Sequence, residues 1–357
     1  MKENQINIYE YRNLSFLIIC SFLTTSIMSF FVETTLNKTC LSLIIASIIG
    51  FIPIKLFLNI QNKYKDMNIM EINNHVFGNF LGKTINVITI LVVSLLLGYL
   101  TYEFSFFINY EFLQNTPVLF INFIIIVLCT FILKYGIEGF FRGSSLLIFL
   151  TLLIIGITYL FLITKVDLPI LLKETSVTND NIFKTIFIFL TLCILPNFTM
   201  LIIRQKEVKF YEEKKIFRSY IYANIFFILT MFLISTIITY KYTFMADYPI
   251  VMLLSKISAF RIFGRIDNLI SLIYIVFIVL TIIYVLYFVY KGSLNFFKKE
   301  SSLVLIPAGI LAFGSSSLFT FDKIYNILIK YYYYPFILVF LIIPIIIYLK
   351  QEKSVQY

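Results

Sequence analysis

FKTIFIFLTLCILPNFTMLII, residues 183–203, is the stretch whose reading decides the fold. It has the length of an α-helix that crosses the roughly 30 Å hydrocarbon core of a bilayer, about 20 residues. Its apolar residues run all the way round and do not form one face of an amphipathic surface helix. Pro196, in its second half, has no N–H to donate and disturbs the turn before it. Backbone groups freed at that depth are tolerated only beside a cavity or packed protein. The stretch therefore predicts a membrane span that is broken near Cys193-Ile-Leu-Pro196-Asn197-Phe198-Thr199.

Similar apolar runs fill the rest of the chain. They place spans at about 13–32, 40–60, 84–108, 117–135, 143–163, 183–203, 216–239, 266–290, 302–319 and 333–349. Hydrophobic residues make up 60% of the 357 and charged residues 13%, and the mean hydropathy is +0.93. These values predict an all-α integral membrane protein of about ten transmembrane helices, with no room for a separate soluble domain. Residues 1–357 read as one polytopic domain. No small-residue cleavage site follows the first apolar run, which predicts a retained span and not a signal peptide.

The formal charge of +10 follows the basic bias of cytoplasmic loops and excludes nucleic-acid binding as the main reading, since no soluble basic domain carries it. With the N-terminus inside, most of the 29 Lys and Arg fall on the cytoplasmic side, the densest run lying from Arg204 to Arg218. Both termini are then expected in the cytoplasm. Ten spans divide into two sets of five with opposite orientation, the layout of an inverted repeat. The first set covers about 13–163 and the second about 183–350. The first span would then be broken as the sixth is.

Composition argues against an enzyme. Cys20, Cys40, Cys129 and Cys193 lie in or beside apolar runs without a CxxC pattern, and His75 is the single histidine. Zinc chemistry, a Ser-His-Asp triad and a disulfide framework are not expected, and no cofactor motif is present. A membrane acyl or glycosyl transferase would need clustered acidic or histidine residues at one membrane face, and the sequence has none.

Several short patterns arrive in a fixed order. They are Gly78-Asn-Phe-Leu-Gly82-Lys83, Tyr102-Glu103-Phe104, Asn115-Thr116-Pro117, Tyr135-Gly136-Ile137-Glu138 with Arg142, Tyr248-Pro249, Phe260, and Arg265-Ile266-Asp267. Their series resembles the spore germination permease family, the B subunit of nutrient germinant receptors, which is similar to the amino acid–polyamine–organocation transporters. The resemblance implies a 5+5 inverted repeat with broken first and sixth helices. It also implies a small germinant, an amino acid by preference, and A and C receptor subunits as partners in the spore inner membrane. An ion-coupled amino acid transporter has the same expected fold and is the alternative. The chain departs from the family pattern in three places. Thr24-Thr25-Ser26-Ile27-Met28-Ser29 stands where the family carries a glycine, Tyr274 stands for a tryptophan, and no glutamate occurs in Phe183 to Leu195.

These readings make Pro196, Asn197 and Thr199 candidate ligand contacts at the sixth-span break. Thr25, Ser26 and Ser29 are their counterparts in the first span, although ordinary small-residue packing accounts for them equally well. Glu103 is an intramembrane carboxylate and a functional candidate by that fact. Tyr99 and Tyr102 flank it, as cavity wall or interface anchors, and Tyr274 completes the set by the resemblance. Glu138 and Arg142 are expected to pair along a helix. Arg265 and Asp267, two apart, are expected to cap the eighth span or meet the segment before it. Tyr331 to Tyr334 are expected to form an interfacial belt. Short amphipathic helices are expected at Asn68–Phe77 and after Tyr248-Pro249.

Overall fold

The computed structural model describes residues 6–169, 177–238, 246–256, 266–296 and 302–353. Phe260 and Arg265 lie outside them, as does the side chain of Asp267.

The described chain is almost wholly helical. In chain order the helices are α1 (Ile8–Cys20), α2 (Ile27–Thr35), α3 (Thr39–Ile49), α4 (Phe51–Lys63), α5 (Ile69–Phe77) and α6 (Asn79–Glu111). Next come α7 (Val118–Lys134), α8 (Ile137–Ile163), α9 (Asn179–Phe189), α10 (Glu213–Ile237) and α11 (Pro249–Ser255). The last are α12 (Ile266–Leu294), α13 (Leu305–Leu318), α14 (Asp322–Tyr331), α15 (Tyr333–Ile337) and α16 (Ile343–Lys353). A two-residue parallel pairing joins β1 (Ile6–Asn7) to β2 (Val208–Lys209), tying the N-terminus to the loop after residue 203.

Seven stretches among the described residues are long and apolar enough to cross a membrane: Ile27–Lys63, Asn79–Glu111, Ile137–Ile163, Asn179–Ile202, Glu213–Ile237, Ser271–Leu294 and Tyr333–Lys350. The pair α13 and α14 qualifies together but is bent by 100°. The Ile27–Lys63 stretch turns sharply at Leu36, where φ is 47° and ψ is −119°. Straight, its 37 residues would reach about 55 Å at 1.5 Å per residue, far beyond a bilayer core.

Local chemistry sets several boundaries. Asn68 and Glu71 form a reciprocal capping box at the start of α5, and Gly78, at φ 81°, separates α5 from α6. Helix α6 begins several residues before the expected span because helix geometry continues past the apolar window into Asn79–Lys83. The buried core is continuous through the bundle, with α6 packed on α12 and α13, and α1 packed on α10. Helix α11 buries Ile250, Leu253 and Leu254 against its neighbours, so it lies against the bundle. Glu138 and Arg142 form no ion pair. Arg142 is exposed, and Glu138 stays in the first turn of α8, where the helix dipole favours it. An exposed pair gains only about 0–1 kcal/mol, too little to fix two side chains.

Candidate functional site

The helix through the expected first span, residues 13–32, is interrupted without a glycine. Helix α1 tightens into a 3₁₀ turn over Ser21–Thr24, Thr25 is extended at φ −109° and ψ 158°, and α2 restarts at Ile27. The hydroxyls of the break supply local acceptors and donors that glycine lacks. Thr25 Oγ1 donates to the Phe22 carbonyl at 2.8 Å, and Ser29 Oγ donates to the Ser26 carbonyl at 2.7 Å. Such side-chain bonds to backbone compete with regular helix.

Glu103 on α6 closes the break. Its side chain accepts from the Ser26 backbone N–H at 2.9 Å and from the Ser26 hydroxyl at 2.7 Å. The carboxylate thus caps the N-terminus of α2, where an anion is favoured by free N–H groups and the helix dipole. Glu103 is 1% exposed, and no cation among the described residues pairs with it. Tyr248 Oη donates to the Glu103 carbonyl at 3.4 Å, and Tyr99 and Tyr325 have their hydroxyls near Ser26.

A cavity of about 870 Å³ ends on this break. Ser26 and Tyr99 are in its wall, with Phe30 of α2, Leu95 of α6, and Lys184 and Ile188 of α9. Phe319, Tyr325 and Tyr332 enclose it from the α13–α15 side. Tyr102 is one ring behind, with its centroid 5.5 Å from Tyr325 and 6.2 Å from Phe319. Lys184 lies over the Phe30 ring at 5.0 Å and Lys330 over the Tyr331 ring at 5.4 Å.

The sixth span is interrupted as expected, by a π turn at Leu190–Ile194 and 3₁₀ geometry over Leu195–Ile202. Its polar groups turn inward to protein and not to the cavity. Asn197 Nδ2 donates to the Ile194 carbonyl and Thr199 Oγ1 to the Pro196 carbonyl, both at 2.8 Å. Tyr284 Oη donates to the Thr199 carbonyl at 2.7 Å and Tyr11 Oη to the Met200 carbonyl at 3.2 Å. Gln61 Nε2 reaches the Ile203 carbonyl at 3.1 Å. Packed protein, not a cavity, receives the backbone that this break frees. Tyr284→Phe leaves the Thr199 carbonyl buried without its donor and is expected to cost about 1–3 kcal/mol. A lowered thermal transition of the purified protein in detergent checks this.

On the polar loop after this segment, Arg204 Nε donates to Glu71 Oε2 at 3.1 Å, and a second contact runs from Arg204 Nη2 to Glu71 Oε1. Burial raises the Glu207 carboxyl above its usual range, and Lys291 and Arg204 pull it back down.

The structure therefore brings together Thr25, Ser26, Ser29, Tyr99, Tyr102 and Glu103. Pro196, Asn197 and Thr199 sit in the packed segment and do not wall the cavity. Tyr274 is fully buried beside Tyr159, which bonds Thr230, away from the cavity wall. Sequence reasoning missed Lys184, Phe319, Tyr325 and Tyr332. Lys184 had a signal, a lone cation in an apolar run. The other three are rings among many, and Tyr331, Tyr332 and Tyr333, expected in an interfacial belt, wall the cavity.

The family described as spore germination protein, a spore permease, matches residues 10–324. No curated protein matches the chain significantly.

Proposed function

The chain belongs to the spore germination protein family, and from that premise we propose that it is the membrane subunit of a receptor for a small nutrient germinant, an amino acid or close relative. One observation carries the reading: a cavity large enough for such a ligand ends on an interrupted helix whose polar groups face a buried carboxylate. Pockets of about 300–1,000 Å³ with few convergent polar groups are the usual form of small-molecule sites.

The finer architecture goes with this reading. Joining α1 to α2, dividing Ile27–Lys63 at Leu36, and adding α7 and α13 to the other qualifying stretches gives the ten-span count. Two sets of five then place the broken spans first in each half, which is the pattern expected of an inverted repeat. The loop charges support cytoplasmic termini, and the spore inner membrane is the expected location. Ligand binding favours one arrangement of the bundle, and partner subunits of the A and C kind read that shift in population.

The test is titration of the purified chain, in lipid nanodiscs, with amino acids, nucleosides and sugars by calorimetry. Saturable binding of one class is the expected result. Accumulation of that ligand in proteoliposomes against its gradient overturns the receptor reading in favour of an ion-coupled transporter.

A further inference from the structure

We propose that the group recognised at the cavity floor is a cationic amine, with Glu103 as its counter-charge, and that a ligand carboxylate is not required there. The proposal rests on the reading of the cavity as a ligand site and names the chemistry of that site.

Three observations carry it. First, two donors at the start of α2, the N–H and the hydroxyl of Ser26, are both taken by Glu103. An incoming carboxylate meets an occupied seat and a like charge. Second, Glu103 is buried within the bundle and has no ion-pair partner among the described residues. A carboxylate in such a place is costly unless a positive charge joins it. Its two bonds to Ser26 and one to the Tyr99 hydroxyl still leave acceptor capacity, since a carboxylate has about four lone-pair sites. The two lysines of the cavity wall do not fill this need, because they lie over the rings of Phe30 and Tyr331.

Third, the wall nearest the carboxylate is aromatic. Tyr99 and Phe319 have centroids 5.8 Å apart, and Phe319 and Tyr325 6.4 Å apart. Ring faces attract an ammonium and exclude an anion. Ser26 and Tyr99 stand between cavity and carboxylate, so an amine that reaches the floor is one hydrogen-bonding layer from Glu103. The cavity above is apolar enough to take a hydrocarbon or aromatic stem.

The experiment uses two probes of the same shape and opposite charge, phenethylamine and 3-phenylpropionate, titrated into the full chain in nanodiscs at neutral pH. Phenethylamine is expected to bind saturably and 3-phenylpropionate at least tenfold more weakly. Glu103→Gln is expected to weaken phenethylamine by about tenfold or more, because the counter-charge behind the Ser26–Tyr99 layer, in a low-dielectric surrounding, is removed. Glu103→Asp, which keeps the charge, is expected to bind it more tightly than the Gln variant. Preferred binding of 3-phenylpropionate overturns the assignment of a cation yet keeps the cavity as a ligand site. Equal binding of phenethylamine by the wild-type and Gln proteins overturns it as well. Failure of both probes and of the wider nutrient panel overturns the ligand site itself. The comparison of the two probes on the wild-type chain stands even if a variant misfolds.

Discussion

Gly98→Leu is expected to prevent recovery of a folded, monodisperse protein. Gly98 lies in the middle of α6 where that helix crosses α13. A Cβ there would sit 2.6 Å from the carbonyl carbon of Ser315 and 2.8 Å from its Cβ. The first of these is backbone, which cannot rotate away, so the two helices must separate. Helix pairs in a bilayer are held by close packing and not by expulsion of water, and a small residue at the crossing is what allows contact. Overpacking a core costs about 1–3 kcal/mol when neighbours can yield, and at this crossing the yielding group is a helix backbone. The same separation displaces Tyr99, the very next residue, and Glu103, about one and a half turns further on. Size-exclusion chromatography and thermal unfolding of Gly98→Ala and Gly98→Leu check the order: wild type, then Ala, then Leu. A Leu variant as stable as wild type would show that α6 and α13 do not cross here.

How much of this was legible in the chain follows from the range of each interaction. The apolar runs were legible because each residue in a bilayer must suit lipid or protein at its own depth, a local demand. Pro196 announced the sixth-span break through its missing N–H. The break in the first span was legible only as a suspicion, since hydroxyls at Thr25, Ser26 and Ser29 serve packed helices as well as interrupted ones. What holds the break in its geometry is a bond between positions 77 apart, Ser26 to Glu103, which no local pattern encodes. The Glu138–Arg142 spacing misled for the opposite reason: helical proximity was real, but an exposed pair has little to hold it. The sixth-span residues show the same limit. Asn197 and Thr199 were correctly placed at a break, yet Tyr284, Tyr11 and Gln61 arrive from other helices and enclose that segment. The cavity consequently meets the first break at Ser26 and Ile27 but the sixth stretch only as far as its π turn, at Leu192, and a chain read one window at a time does not reveal this.

Ser26→Leu is expected to abolish ligand binding and the germination response while the chain still inserts. The substitution acts twice. It removes the hydroxyl that donates to Glu103 Oε1 at 2.7 Å, leaving a buried carboxylate with one fewer partner, a loss of about 1.5–3 kcal/mol for a bond to a charged group. It also puts a branched side chain into the cavity wall that Tyr99 and Phe30 share with it. Ser26→Ala separates the two effects, because it removes the hydroxyl but keeps the backbone N–H bond and leaves the floor open. A graded result follows from the geometry. Ala weakens ligand binding measured by calorimetry by about tenfold, the equivalent of about 1.4 kcal/mol, and Leu eliminates it. Membrane insertion of both variants is checked by fractionation, which separates lost binding from lost protein. If the Leu variant binds ligand as the wild type does, the cavity at the first-helix break is not the ligand site proposed for this chain, and the capping of α2 by Glu103 is a structural device alone.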